Sequence, residues 1–134
     1  MVELECSSGL STRGVTGYHS IAEDPLHLIL VALPRSGPDR LLGLFAAHIV
    51  LDELQIDNIA VTPELRGHGI GSLLLTAGLT LARRADCLTA HLEVRSANLP
   101  ARQLYLKAGF REVGRRPRYY LNPPDDAITM TSEL

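Results

Sequence analysis

Cysteine is nearly absent from this chain. Cys6 and Cys87 are the only two in 134 residues, too few and too unpatterned for a disulfide framework or a zinc site, so no metal is expected. Long apolar runs are missing as well. No stretch approaches the roughly 20 residues that cross a bilayer, and no basic-then-apolar leader opens the sequence. These absences point to a reducing cytoplasm and away from a membrane. Excess positive charge is also lacking: fifteen acids against thirteen lysines and arginines leave a formal net charge of −2. That excludes a strongly basic nucleic-acid binder on bulk electrostatics. Tryptophan is absent and Lys107 is the only lysine, a bias toward arginine that reads as codon usage before function.

What remains suits one soluble domain over residues 1–134, with 46% hydrophobic residues to build a core and 21% charged residues to solvate it. The charge is unevenly spread. Residues 1–61 hold eight acids and three bases, and residues 62–134 hold seven acids and ten bases. The basic half suits an anionic ligand.

Leu26–Leu33 and Leu41–Val50 read as two strands joined through the turn chemistry of Pro34, Gly37 and Pro38. A third strand follows over 54–62. From Ile70 the apolar residues fall at 70, 73, 74, 77 and 81, a helical stripe closed by Arg83 and Arg84. Leu88–Arg95 alternates apolar and polar residues, with Glu93 on the polar face. A second helix runs from an Asn98 N-cap to a Gly109 C-cap. Two closing strands flank a turn at Asn122–Asp126. The order predicts an α/β or α+β sheet with helices packed on it.

Between the third strand and the first helix stands "RGHGIGS", Arg66 to Ser72, with three glycines at 67, 69 and 71. A helix start presents N–H groups without intrahelical acceptors and the positive end of the dipole. Glycines there, Gly69 and Gly71 above all, let a ligand approach the backbone where a side chain would block it. The spacing matches neither the Walker pattern nor the dinucleotide fingerprint. The residues alone leave a phosphate site and a plain tight turn equally open.

"NIAVTPELRGHGIGSLLL" resembles the acyl-CoA signature of the GNAT acetyltransferases, with Arg66, Gly69 and Gly71 at its marked positions. "LEVRSANLPARQLYLKAGFREVGRRPRYY" is similar to the second half of the bacterial ribosomal-protein-alanine N-acetyltransferases. The resemblance implies a mixed, mostly antiparallel sheet and acetyl-CoA as co-substrate. It implies that Ile59, Ala60 and Val61 pair with the pantetheine arm and the acetyl carbonyl. It implies a pyrophosphate turn formed by Arg66, Gly67, His68, Gly69, Ile70, Gly71 and Ser72, and a coenzyme contact from Asn98. Glu93 then stands as general base and Tyr105 as general acid, with Tyr119 and Tyr120 near the acceptor. Read as residues alone, Asn98 is equally an N-cap, Glu93 an exposed strand residue, Tyr105 a core tyrosine, and Tyr119 and Tyr120 edge packing.

The family's opening strand and part of its first helix are expected to be missing, with Met1–Cys6 matching the end of that helix. An open sheet edge would follow, which a second subunit could cover in a homodimer. The acceptor is expected to be a primary amine, best a protein N-terminal α-amine such as that of a ribosomal protein, with no direct nucleic-acid or membrane partner. A small-molecule amine is the other catalytic reading, and a coenzyme A-binding regulatory module without turnover is the non-catalytic one.

Overall fold

The computed structural model describes residues 26–35 and 40–134, together with the strand backbone of Val2–Glu5 and Val15–Ser20. Eight strands form one sheet: β1 Val2–Glu5, β2 Val15–Ser20, β3 His27–Pro34, β4 Gly43–Val50, β5 Glu53–Val61, β6 Thr89–Arg95, β7 Arg111–Leu121 and β8 Pro124–Glu133. Their order is β1-β2-β3-β4-β5-β6-β8-β7. Every neighbouring pair is antiparallel except β5 with β6. That one parallel pair needs a crossover, and helix α1 (Ile70–Arg84) supplies it. Helix α2 (Leu99–Lys107) joins β6 to β7. No helix among the described residues is long and apolar enough to cross a membrane.

The predicted strands and helices are present, with small shifts. The first helix begins at Ile70 as its stripe requires; Ile70, Leu73 and Leu74 are buried and Ala77 and Leu81 partly so, beside Leu75, Leu79 and Ala82, which the stripe left out. Leu88 is 63% exposed, so the buried alternation of β6 starts at Ala90. The last turn is confined to Asn122 and Pro123, because β8 already begins at Pro124.

The N-terminal part corrects the sequence reading. Val2–Glu5, matched there to a helix end, is a strand paired with β2 from Val2↔Ser20 to Glu5↔Gly17. β2 in turn pairs with β3 through Tyr18↔Ala32 and Ser20↔Leu30. The edge of β3 that prompted the expectation of a second subunit is therefore covered within the chain. The small, polar stretch 7–17 reads from sequence as weakly structured, but residues 15–17 belong to β2; Cys6 and residues 7–14 lie outside the described residues.

The core sits between the sheet and the two helices. Phe45, Leu30, Leu54 and Leu74 are fully buried there with Ile128 and Met130. α1 lies close against β4 because residue 78 is glycine. A Cβ at that position would stand 2.4 Å from Phe45 Cζ and 2.7 Å from its Cε1, contacts a fully buried ring has no room to yield.

Candidate active site

β5 and β6 run together only from Glu53↔Thr89 to Ile56↔Leu92. Beyond that they part. The cause is a bulge in β5: Ala47 pairs with Ile56 but Ala46 pairs with Asn58, leaving Asp57 as the extra residue. A bulge bends its strand and raises the local twist. The result is a cleft of about 220 Å³ between the strands, lined by Asp57, Ile59, Glu93, Arg95, Asn98 and Tyr105 among others.

The freed edge of β5 carries unpaired backbone groups. Thr62 N–H donates to Leu42 O at 2.9 Å, which fixes the direction of its peptide toward β4. By the alternation of an extended strand, Ala60 turns its N–H toward β4 as well, while Ile59 and Val61 turn theirs toward the cleft side. Two of the three predicted β5 residues thus present backbone donors to the opening, and Ala60 does not.

The glycine turn lies at the same end of the sheet. Gly67 and Gly69 have φ of +83° and +84°, the left-handed region in which a side chain is strained. A Cβ on Gly67 would meet nothing within 4 Å, so glycine is required there by the backbone alone. Gly69 is the N-cap of α1 and gives no side-chain cap. The first helical hydrogen bond is Leu73 N–H to Gly69 O at 3.0 Å. The N–H groups of Ile70, Gly71 and Ser72 are therefore left for a ligand or water. His68 folds back over the turn, its Nδ1 lying 3.1 Å from Leu65 O and 3.2 Å from Arg66 O. Arg66 is exposed and has no ion pair among the described residues. A Cβ on Gly71 would lie 3.5 Å from Leu104 Cδ2 and 3.7 Å from Val61 Cγ2, ordinary contact distances, so packing of α1 against α2 does not by itself demand glycine there.

Asn98 is the N-cap of α2, its Oδ1 accepting Ala101 N–H at 3.3 Å, and it also lines the cleft. Tyr105 is 7% exposed, its ring edge-on to Phe110 at 5.7 Å. It too lines the cleft, and burial pushes its phenol up to about 12. Glu93 is on the cleft's exposed face, 3.5 Å from Arg116 Nη1.

The two adjacent tyrosines are separated by the shape of β7. Arg116 pairs with Ala127 and Tyr120 with Asp125, so residues 117–119 stand opposite Asp126 alone. Asp126 holds that bulge: Oδ1 accepts Arg118 N–H at 2.9 Å and Oδ2 accepts Arg115 Nη1 at 2.7 Å. The backbone bond from Arg118 and the guanidinium of Arg115 keep this carboxyl below the usual carboxylate range. Tyr120 is thereby set into the cleft wall, with the Arg95 guanidinium 4.1 Å from its ring centroid. Burial, with the Glu93 charge second, pushes its phenol up. Tyr119 is left 51% exposed, edge-on to Tyr120.

Sequence reasoning missed Asp57, Arg95 and Arg116. The alternation of β6 puts Arg95 on the same polar face as Glu93, which could have revealed it. Asp57 and Arg116 depend on bulges that no local pattern marks.

A cleft with open backbone donors, an enclosed phenol and an exposed carboxylate beside an uncapped helix start can hold an anionic carrier and transfer an acyl group to a nucleophile. Comparisons with known proteins agree. Residues 3–110 match the acetyltransferase (GNAT) family model. A Bacillus subtilis protein provisionally named a [ribosomal protein bS18]-alanine N-acetyltransferase is 38% identical over 113 residues, 84% of this chain and 73% of the relative. The [ribosomal protein bS18]-alanine N-acetyltransferase of Haemophilus influenzae is 37% identical over 99 residues, 72% of this chain and 67% of its own. Among solved structures, the ribosomal-protein-S18-alanine N-acetyltransferase of Escherichia coli superposes with a TM-score of 0.75 at 29% identity, covering 83% of this chain and 71% of that one. The chain belongs to the GNAT acetyltransferase family and is an acetyl-CoA-dependent N-acetyltransferase.

Proposed function

We propose that the acceptor is the N-terminal α-amine of a protein, and that the cleft between β5 and β6 is where it meets the acetyl group. The observation that carries this reading is the meeting of Glu93, Tyr105, Asn98 and the freed edge of β5 around one opening. The naming of the relatives after an N-terminal alanine of a ribosomal protein supports the acceptor class. So does acidity. An α-amine with a pKa of ~8 loses its proton near neutrality for about 1 kcal/mol, whereas a lysine ε-amine at ~10.4 costs nearer 4–5. The smaller cost favours the α-amine.

Acetyl-CoA supplies an activated acyl carbon and a thiolate leaving group. The residues present fit it. The uncapped N–H groups of Ile70, Gly71 and Ser72, with Gly67, Gly69, His68 and the exposed Arg66 around them, suit its pyrophosphate. The Ile59 and Val61 N–H groups face the side where a pantetheine amide and the acyl oxygen can accept them, and the oxygen gains most as it becomes negative. Glu93 collects the amine proton through a water, the route open to an exposed carboxylate. Tyr105 donates a hydrogen bond to the departing sulfur. Transfer of its proton from about 12 to a thiolate of pKa ~8.5 is uphill by about 5 kcal/mol, so the phenol stays an O–H donor throughout. Tyr120 lines the acceptor side.

The test is the choice of nitrogen. Thiol release from acetyl-CoA is expected with an alanine-led peptide carrying an internal lysine, and is expected to vanish when the peptide's N-terminus is blocked. Equal rates for the two peptides would refute the α-amine assignment. Reaction of a small polyamine or aminoglycoside alone would replace the protein acceptor with a small one.

A further inference from the structure

Glu93 already has a cationic partner in the chain. Arg116 comes from the bulged edge strand β7, 3.5 Å from Glu93 Oε1, with 62% of its side chain exposed. The other groups facing Glu93 are committed elsewhere. Arg95, on the same strand, donates to Pro123 O at 2.8 Å and Asn122 O at 3.3 Å and lies over the Tyr120 ring. Asp57, across the cleft on β5, is held by His48 Nδ1 at 2.8 Å. His91, next along the polar face of β6, is bonded to Thr131 on β8 and to Thr89. Tyr105 from α2 and Tyr120 from β7 are neutral phenols, and Thr129 stands opposite on β8. Arg116 is thus the exchangeable cation.

We propose that Arg116 is an exchangeable counter-ion that tunes acceptor affinity: it occupies Glu93 in the acceptor-free enzyme and yields that place to the acceptor's ammonium. This rests on the reading of Glu93 as the group that receives the amine. Three features carry the exchange. The contact is looser than the other arginine pairs among the described residues, Arg102–Glu112 at 2.6 Å and Arg115–Asp126 at 2.7 Å. Exposed ion pairs of this kind are weak and easily traded. The displaced guanidinium has a second resting place, since Arg116 already lies 5.7 Å from the Tyr119 ring centroid, within cation–π range. An acceptor without positive charge has nothing to offer Glu93 in exchange. Arg116 therefore lowers the affinity of every acceptor that must displace it, and by the same factor.

Isothermal calorimetry of an alanine-led peptide binding to the coenzyme A-loaded protein tests this without turnover. Arg116→Gln is expected to tighten binding about two- to fivefold at low salt, with Arg116→Lys close to wild type and the gain fading at high salt. In a Glu93→Gln background the same change is expected to do nothing. Unchanged or weaker binding by Arg116→Gln would overturn the proposal, and so would a gain that persists without the Glu93 charge. Turnover of Glu93→Gln alone is read separately. If it stays at the wild-type level, the role of Glu93 in the reaction fails, whereas a dead Glu93→Gln with no Arg116 effect defeats only the counter-ion.

Discussion

Glu93→Gln is expected to lower turnover about 10²-fold or more at neutral pH, with acetyl-CoA affinity near wild type. Glutamine keeps the size and most of the hydrogen bonding of the side chain but cannot receive a proton. The residue is exposed on β6 and its ion pair with Arg116 is loose, so the fold should lose no more than about 1 kcal/mol. The proposed pyrophosphate and pantetheine contacts are made by the start of α1 and by the backbone of β5, and none by the Glu93 side chain. The deficit should shrink as pH rises through ~8, where the α-amine loses its proton unaided. A deficit constant across that range would make Glu93 a positioning residue.

The second large effect is expected from Tyr105→Phe, a loss of turnover of roughly 10²-fold that does not shrink at high pH. Phenylalanine retains the edge contact with Phe110 and the packing, and removes only the O–H that faces the cleft. In the wild-type enzyme, burial pushes this phenol up to about 12. The donor is therefore intact across the whole range in which the amine titrates. Activity should rise as the amine deprotonates and then stay level until pH approaches about 12. A fall centred near 10, the ordinary tyrosine value, would show that the phenol is not enclosed. The sign for stability is the same. The folded state binds the Tyr105 proton more tightly than the unfolded chain, so its contribution is full below ~10 and is lost as pH rises through about 12. Rates at high pH must accordingly be read beside a folding signal.

Local features of the sequence carried much of this site. The period from Ile70 onward set α1, the alternation in β6 put Glu93 on the polar face, and the Asn98 cap set the start of α2. Each is decided by residues within a turn or two of one another. The cleft itself is not local. It exists because β5 and β6 part after Ile56↔Leu92, which depends on a one-residue slip against β4 at Asp57. The same holds for Arg116, which reaches Glu93 from an edge strand whose register shifts before Tyr120. The neighbours of Gly71 are not local either: a Cβ there would meet Leu104 of α2, about thirty residues away. The N-terminal strands were misread because resemblance to a helix end outweighed the four residues Val2–Glu5 themselves.

Coenzyme A and the acceptor amine are expected to meet in the cleft between β5 and β6, and a crystal structure with coenzyme A bound reads this out. The pyrophosphate is expected on the backbone of Gly67–Ser72, the pantetheine arm along Ile59 and Val61, and the sulfur in hydrogen-bonding contact with Tyr105 Oη, on the side of the cleft that Glu93 faces. A coenzyme lying elsewhere on the sheet, or a sulfur turned away from both Tyr105 and Glu93, would contradict it.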